Sequence, residues 1–381
     1  MPTAAQHRLL ICRAEQVELN ERDPERSCVV PHVPAVFHNV DHHMMSVMRR
    51  DVMSVHMRMV RIGVVDLSRV KAALRRRLQL MSEGVHGRKV IVIINGKGGV
   101  GKSSLSAALA AALAKTGLLV LLIEIDEQGN HCEDLGITGS ELADDGQAQA
   151  AAILEGKPLT PTGEARPNLY MVPGGSALQD VIEELYCQRR VAAASDDPED
   201  QFAWMGMYAA AIDAVRHLYD VVILDVAPGS EPLQLQALVA GDMALVPTRS
   251  DPSSRKGLRT VARRFALAVR LNPLLRLMGV VLFATASAAT RVQKKIREQL
   301  SEDLNGAAPV MEQTIRQVEA AAVACRTHGQ VPQELAANPD LEPALKRSMK
   351  ALAGDYRSLA LEVLQAKAEL DQADEHRKAR P

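Results

Sequence analysis

The sequence predicts an α/β fold in which a mostly parallel, twisted sheet is flanked by helices on both faces. From about residue 89 onward, short apolar runs alternate with helix-like segments, and strands separated by helices imply right-handed crossovers. The runs are continuously apolar, which is typical of parallel strands buried on both faces. Aromatic residues make up only 3% of the chain and alanine is abundant, which favours close helix packing.

The order of the elements follows from these runs. The first, KVIVIIN, ends at a glycine-rich loop, and an alanine-rich helical pattern follows over about 102–116. Further strand-like runs lie at 118–125, 168–174, 219–229, 242–248 and 277–286. Helical patterns fill the gaps and include 253–271, 290–303 and 340–370. We therefore predict one domain over 89–370, followed by a flexible tail over 371–381.

The first 65 residues differ from the rest, with clustered His and Met and no repeated strand pattern. His38, His42 and His43 are candidate metal ligands, but no second ligand cluster accompanies them. We therefore predict a poorly structured extension over 1–65. The alternative is that translation starts at an internal methionine, for example Met48.

Residues 66–88 are predicted to form a helix and a linker. Within 66–82, Val70, Leu74 and Leu78 recur on one helical face, while the arginines lie mostly elsewhere. This pattern favours a docking helix or a dimer-contact helix. It lacks the second helix that a helix-turn-helix requires.

Composition excludes several classes of protein. No apolar run approaches the roughly 18 residues needed to cross a bilayer, and the N-terminal stretch does not match a secretory signal. The five cysteines lack paired spacing, which fits a reducing cytoplasm and argues against a disulfide framework or a zinc site. The net charge of −1 nevertheless hides a local asymmetry, because 252–297 contains eleven Lys or Arg and no acid.

The stretch NGKGGVGKSS, at 95–104, has the spacing of a phosphate-binding loop, Gly96-x4-Gly101-Lys102-Ser103. It lies between a predicted buried strand and a helix start. There, backbone N–H groups and the positive end of the helix can converge on an anion. Lys102 is expected to bind the β- and γ-phosphates and Ser103 to bind Mg²⁺. The sequence thus predicts a P-loop NTPase.

Three stretches together resemble the ParA/MinD family of ATPases. KGGVGKSS resembles the deviant phosphate loop of that family, in which a second lysine follows the first glycine. IEIDEQGN (123–130) resembles its switch I, and YDVVILDVAPG (219–229) resembles its Walker B and switch II segment. The resemblance covers roughly 89–366 and implies ATP and Mg²⁺ as cofactors.

The resemblance also implies roles for individual side chains. Lys97 would reach across an ATP-dependent homodimer to the phosphates bound by the other subunit, and would be catalytic together with Lys102 and Asp126. Asp126 would orient the attacking water, and Asp225 would bind Mg²⁺ through water, alongside Ser103. The expected ATP-binding residues are Gly96, Lys97, Gly98, Gly99, Val100, Gly101, Lys102, Ser103, Ser104 and Pro247, the last of these near the base.

The chain departs from the family at two positions. Glu127 stands where switch I usually has proline, and Ala227 stands where switch II usually has the first of two prolines. Both lie in mobile segments, so the departures bear on the hydrolysis rate and its coupling more than on the chemistry.

Two basic clusters in the acid-free stretch are candidates for contact with duplex DNA. No aromatic residue interleaves them, so contact with the phosphate backbone is favoured over base stacking. Relatives of the ParA type place DNA-contacting residues in the second cluster and near Arg316. The candidate DNA-binding residues are Arg255 and Arg259 in the first cluster, Arg291, Lys294, Lys295 and Arg297 in the second, and Arg316.

These features lead to one functional prediction. The chain would be an Mg²⁺-dependent ATPase for DNA segregation, acting on a plasmid or mobile element. It would dimerise on ATP and bind duplex DNA non-specifically. A centromere-binding, ParB-like adaptor would stimulate hydrolysis. Its expected location is the cytoplasm, in association with the nucleoid.

The main alternative is a MinD-like spatial regulator that acts at the membrane or on another cargo. Such proteins end in a basic amphipathic helix, whereas the tail here has interleaved acids and no bulky apolar face after Leu370. We therefore expect no stable membrane association. A relative of the nitrogenase iron protein is disfavoured because Cys132 and Cys187 do not fall in cluster-binding segments.

Overall fold

A computed structural model describes residues 67–83, 87–285, 290–304, 306 and 308–378. The extension predicted over 1–65, with its candidate metal ligands, lies outside the described residues.

The described chain alternates strands and helices as the apolar runs predict. The strands are β1 Val90–Ile93, β2 Val120–Ile125, β3 Gly163–Arg166, β4 Leu169–Val172, β5 Val221–Val226, β6 Met243–Thr248 and β7 Arg276–Leu282. The helices are α1 Leu67–Ser82, α2 Lys102–Ala114, α3 His131–Asp134, α4 Gln147–Leu154, α5 Leu178–Ala193, α6 Pro198–Ala203, α7 Met207–Asp213, α8 Glu231–Ala240, α9 Pro252–Ala268, α10 Thr290–Leu304, α11 Glu319–His328, α12 Pro332–Leu335 and α13 Pro343–Lys378. Short 3₁₀ turns occupy Trp204–Gly206 and Arg216–Leu218.

The seven strands form one sheet in the order β3-β4-β2-β5-β1-β6-β7. Every neighbouring pair is parallel except β3 with β4, which confirms the predicted mostly parallel sheet. β3 was not predicted, because its sequence GEAR is polar and partly exposed at the sheet edge. The carboxyl ends of β1, β2 and β5 lie side by side, and the glycine loop and both switch segments begin there.

Two apolar cores cover the two faces of the sheet. Alternate residues of β1 divide between them, with Val92 on one face and Ile91 and Ile93 on the other. α2 is buried almost all round, because its small side chains allow it to fit between the sheet and α13. The helix that carries the phosphate loop is therefore held rigidly on the sheet.

α1 packs against the domain, which is one of the two roles that its pattern favours in the sequence. Val70 and Leu74 are buried, as their spacing predicts, while Leu78 is 41% exposed. Arg77 is buried and lies with its Nη2 3.0 Å from Asp242 Oδ1. α1 thus belongs to the same packed unit as the sheet.

α13 extends beyond the predicted end of the domain at 370. It continues to Lys378, and Asp374 within it pairs with Arg88. Its Asp371 pairs with Lys367 one turn earlier, at 2.8 Å. The segment predicted as a flexible tail is therefore helical over most of its length. Within the described ranges, no helix combines the length and apolar character that crossing a membrane requires.

Candidate nucleotide site and basic surfaces

The loop between β1 and α2 has the backbone shape that a phosphate cradle needs. Gly99 and Gly101 have positive φ angles of 70° and 87°, which side chains rarely adopt. A Cβ on Gly101 would also lie 2.1 Å from the Phe283 ring. Gly101 precedes the first residue of α2, so the N–H groups of the loop and of the first helical turn lie together.

Asn95 fastens the start of this loop. Its side chain is fully buried, and its Nδ2 donates to the Pro247 carbonyl over 2.8 Å while its Oδ1 accepts from the Lys97 N–H over 2.9 Å. A Cβ on Gly257 of α9 would lie 2.1 Å from the same Oδ1. α9 and β6 therefore hold the part of the loop that carries the extra lysine.

The two loop lysines lie in different environments. Lys102 is 7% exposed, and burial lowers its pKa although Asp225 and Asp126 lie near enough to oppose that shift. Lys97 is one-third exposed at its side chain and pairs with Asp251 over 2.8 Å. Lys102 thus faces the interior of the site, whereas Lys97 lies at its rim.

Asp126 follows the last residue of β2 and faces the loop. It is 9% exposed, and its Oδ1 accepts from the Gln128 N–H over 3.0 Å. Burial raises its pKa, and the Asp225 carboxylate adds to that effect. A desolvated carboxylate that is held from one side can orient a polar group placed before it.

Asp225, near the end of β5, is 1% exposed. The His131 Nε2 lies 3.0 Å from its Oδ2, and the Ser103 hydroxyl also contacts it, both without the alignment of a linear hydrogen bond. Burial opposes ionisation, but these two contacts and Lys102 keep the pKa of Asp225 below its usual value. The carboxylate is therefore an anion with acceptor capacity to spare, which fits a hydrated cation.

Two cavities meet at Ser104. The first is a groove of ≈ 510 Å³ that contains the loop glycines, Lys102 and Asp126, with Pro228 on its far wall. The second is a cavity of ≈ 520 Å³ with a largely apolar lining that includes Phe283 and Tyr356. A groove that contains Lys102, Asp126 and the loop glycines, joined to a cavity with a more apolar lining, can take the phosphates in one part and the base in the other.

Pro247 lines neither cavity. It is in β6, and its carbonyl accepts the bond from Asn95, so its contact is with the loop backbone. Arg249, two residues later, does line the apolar cavity, together with Gln317 and Arg326. The expected site at Pro247 therefore lies next to the loop, while the residues around the apolar cavity come from later segments.

Gln234 joins the loop to the segment after β5. This fully buried side chain donates through Nε2 to the carbonyls of Ala227 at 2.8 Å and Pro228 at 3.0 Å. The same nitrogen lies 3.3 Å from the Asn95 carbonyl. The segment that carries Ala227 in place of proline is thus held by a side chain on α8.

The two basic clusters differ in what their charges contact. Lys294 and Lys295 are exposed on α10, and Arg259 is exposed on α9. Arg297 donates to the Met311 carbonyl over 2.7 Å and pairs with Glu312 over 3.0 Å. Arg255 and Arg291 lie in α9 and α10, but their side chains lie outside the described part.

Arg316 lines the apolar cavity. It makes a bidentate contact with Asp355, with both distances 2.7 Å, and Asp355 is buried. Since Arg297 and Arg316 are engaged within the domain, the exposed charge among the described side chains of the predicted DNA surface comes from Lys294, Lys295 and Arg259.

Several residues of the site were not predicted from the sequence. His131 and Glu124 flank Asp225 beneath the loop, and Asp251 holds Lys97. Arg326 lines both cavities and contacts Asp134 over 3.0 Å. For His131 the sequence offered one signal, the charged run HCED directly after switch I. Asp251 and Arg326 are distant in sequence from the residues that they contact, so no local pattern indicated them.

Comparisons with known proteins identify the family and the fold of the chain. A family described as AAA domain, AAA_31, matches residues 88–276. The chain is 32% identical to the sporulation initiation inhibitor protein Soj of Bacillus subtilis over 51% of the chain and 72% of that protein. It is 32% identical to the chromosome partitioning protein ParA of Myxococcus xanthus over 57% of the chain and 71% of that protein. The solved structure of pnob8 ParA aligns with a TM-score of 0.51 at 18% identity, covering 74% of this chain and 99% of that one.

The fold and the site define a P-loop ATPase. The relatives specify it further: the chain belongs to the ParA/MinD family of P-loop ATPases.

Proposed function

We propose that this chain is a DNA-segregation ATPase that binds ATP, dimerises through it and places a basic surface on duplex DNA. One observation carries the proposal: Lys102 and Asp126 line one groove, the buried Asp225 lies near enough to influence the pKa of both, and Lys97 lies next to Gly98 of that groove. The partition proteins among its relatives support the biological role.

ATP fits the two joined cavities. The triphosphate would lie in the polar groove, where the loop N–H groups and Lys102 supply positive charge. The base would enter the apolar cavity near Phe283, and Arg326, which lines both cavities, would lie beside the sugar or the α-phosphate. Asp126 would then orient the water that attacks the terminal phosphate.

Mg²⁺ would be held by Ser103 directly and by Asp225 through water. The unsatisfied acceptor capacity of the buried Asp225 and the adjacent hydroxyl of Ser103 fit this ion. When bound, Mg²⁺ would screen the charge of the phosphate oxygens. The loop N–H groups, Lys102 and Asp126 would supply the other contacts of the site.

Lys97 would act on the partner subunit. It lies at the rim of the groove, and its 2.8 Å contact with the partly exposed Asp251 is of a kind that contributes about 0–1 kcal/mol, so exchange for a phosphate partner costs little. Two such lysines, one from each subunit, would place ATP within the dimer interface.

The Lys97→Ala variant tests this role. We expect mant-ATP affinity to change less than about threefold, because Lys102 and the loop N–H groups remain. Dimer formation with Mg²⁺ and a non-hydrolysable ATP analogue should be lost, as measured by size exclusion with light scattering.

Lys115→Ala is the matched control, since Lys115 is exposed at the far end of α2. It should dimerise like the wild type. A wild-type protein that stays monomeric with saturating analogue, or a Lys97→Ala variant that dimerises normally, contradicts the proposal.

The described C-terminal region favours DNA over the membrane as the surface on which the protein acts. α13 is tied to the domain through Asp374, which pairs with Arg88 and lies 4.0 Å from Arg276. A helix that inserts into lipid would have to release these ion pairs. We therefore propose segregation of DNA, with a ParB-like adaptor as the activator, instead of a MinD-like cycle.

A further inference from the structure

Two carboxylates lie side by side beneath the phosphate loop. Glu124 on β2 and Asp225 on β5 are partners in register, so their side chains leave the same face of the sheet. Glu124 is 0% exposed and Asp225 is 1% exposed. Adjacent buried carboxylates repel each other and lose their hydration, so the arrangement requires a compensating cation or proton.

His131 occupies the position of that cation. It is 0% exposed and is the first residue of α3. Its Nε2 lies 3.0 Å from Asp225 Oδ2, and its backbone N–H donates to Glu124 Oε1 over 3.1 Å. The three side chains bring one ligand-type atom each within 4.8 Å of one another.

The electrostatics agree with this geometry. Burial alone would disfavour the imidazolium, but Glu124 and Asp225 outweigh it and raise the pKa of His131 to about 9. Burial raises the pKa of Glu124 to about 7 despite the opposing effect of His131.

His131 is also part of the switch I region. It follows Asn130 directly, and its helix is held from the other side by Arg326, which contacts Asn130 over 3.1 Å and Asp134 over 3.0 Å. A displacement of Asp126 or of the residues after it would therefore pull on the contact between His131 and Asp225.

We propose that His131 is a positioning residue that ties the switch I segment to Asp225 and holds that carboxylate toward the Mg²⁺ site. The inference rests on the proposed role of Asp225 in Mg²⁺ binding. It adds a direct contact, through His131, between the switch I segment, whose Asp126 would orient water, and Asp225, which would hold the cation.

The test measures how Mg²⁺ changes nucleotide affinity. Mant-ATP binding is titrated in EDTA and again over a range of Mg²⁺ concentrations, for wild type, His131→Ala and His131→Gln. We expect His131→Ala to bind mant-ATP normally in EDTA and to need roughly 10-fold more Mg²⁺ for half-maximal enhancement, as loss of an outer partner of a metal ligand does. His131→Gln can place an amide nitrogen near the position of Nε2 and should recover much of the Mg²⁺ response.

Cys132→Ala is the matched control, because it changes the next, half-buried residue of α3. It should retain the wild-type Mg²⁺ response. Steady-state ATPase assays should show the same Mg²⁺ shift in His131→Ala, with the KM for ATP at saturating Mg²⁺ nearly unchanged.

The outcomes separate the two proposals. If wild-type affinity does not depend on Mg²⁺, the proposed function fails. If the wild type responds and His131→Ala responds identically, only the positioning role fails. Metal analysis of the purified protein gives a further test, because a stoichiometric transition metal that is lost in His131→Ala would show that the cluster binds a metal and would overturn the inference.

Discussion

Lys97 and Lys102 are five residues apart, but their surroundings fit them for different tasks. Lys102 is buried with a lowered pKa and points among the acids of its own site. Lys97 is partly exposed and held by a side chain that can release it. A lysine that binds the phosphates of its own subunit can be buried, whereas a lysine that binds the phosphates of a neighbouring subunit must be exposed.

Gly101 allows a direct test of the loop at the same scale. Gly101→Ala places a side chain at φ 87° and within 2.1 Å of the Phe283 ring. The backbone strain costs about 1–2 kcal/mol before the steric clash is counted. We expect the loop to relieve the strain and the clash by leaving its phosphate-binding shape, so that mant-ATP affinity falls by at least about tenfold, which corresponds to about 1.4 kcal/mol.

Gly139→Ala controls for the strain alone. Gly139 has φ 78°, and a Cβ there would contact nothing within 4 Å. This variant should lose roughly 1 kcal/mol of stability in urea unfolding and keep its nucleotide affinity. Equal loss of affinity in both variants would show that the packing of Phe283 on the loop is irrelevant.

At the scale of elements, the buried parallel strands were predicted from the sequence, whereas the edge strand and the packing of the first helix were not. β1, β2, β5 and β6 are continuous apolar runs and were predicted because burial on both faces leaves that pattern. β3 was not, because an antiparallel edge strand with polar residues carries no such signal. The packing of α1 also went beyond the prediction, since an amphipathic face shows that a helix is covered but not by what.

α1 supplies a prediction of its own through Arg77. This guanidinium donates to the carbonyls of Val239 at 3.0 Å and Ala240 at 2.9 Å and pairs with the buried Asp242. Arg77→Ala removes one of the buried guanidinium groups that pair with Asp242 and leaves Arg216 in place. We expect a loss at the lower end of the roughly 3–5 kcal/mol seen when one partner of a buried pair is removed.

Urea unfolding followed by circular dichroism measures this loss. Arg76→Ala is the control, because Arg76 is the neighbouring residue of α1 and is exposed. It should change stability by about 0.5 kcal/mol or less. If the two variants are equally stable, α1 does not contribute to the domain through this contact.

At the scale of the whole molecule, the site is built from segments that lie far apart in sequence. The phosphate loop, Asp126 and Asp225 were predicted, because each lies at or directly after the end of a strand in a recognisable order. The apolar cavity was not, since its lining comes from Arg249, Phe283, Ile315 and residues near 330 and 356. Such convergence depends on how the crossovers pack, which local patterns do not encode.

The basic surface yields a prediction at this scale. Lys294 and Lys295 are exposed on α10 and are far less engaged than Arg297. Their joint replacement by Ala should weaken binding of the ATP-bound protein to duplex DNA. It should also lower the slope of log affinity against log salt by about 1.8, since each phosphate contact contributes about 0.9.

Fluorescence anisotropy with a random-sequence duplex at several salt concentrations measures both effects. The control replaces Lys346 and Lys350 of α13, which lie outside the predicted surface. ATP-dependent dimerisation should be unchanged in both variants. A double Lys294 and Lys295 variant with the wild-type salt slope would exclude this face of α10 from DNA contact.

The pair between Lys97 and Asp251 has one more consequence. Asp251 also caps the first turn of α9, accepting from the Ser254 N–H over 3.1 Å and from its hydroxyl over 2.8 Å. If Lys97 binds the phosphates of a partner subunit as proposed, it must first leave Asp251, so this ion pair would compete with dimer formation. A bound triphosphate, which carries more negative charge than one carboxylate, would be the stronger competitor for the lysine.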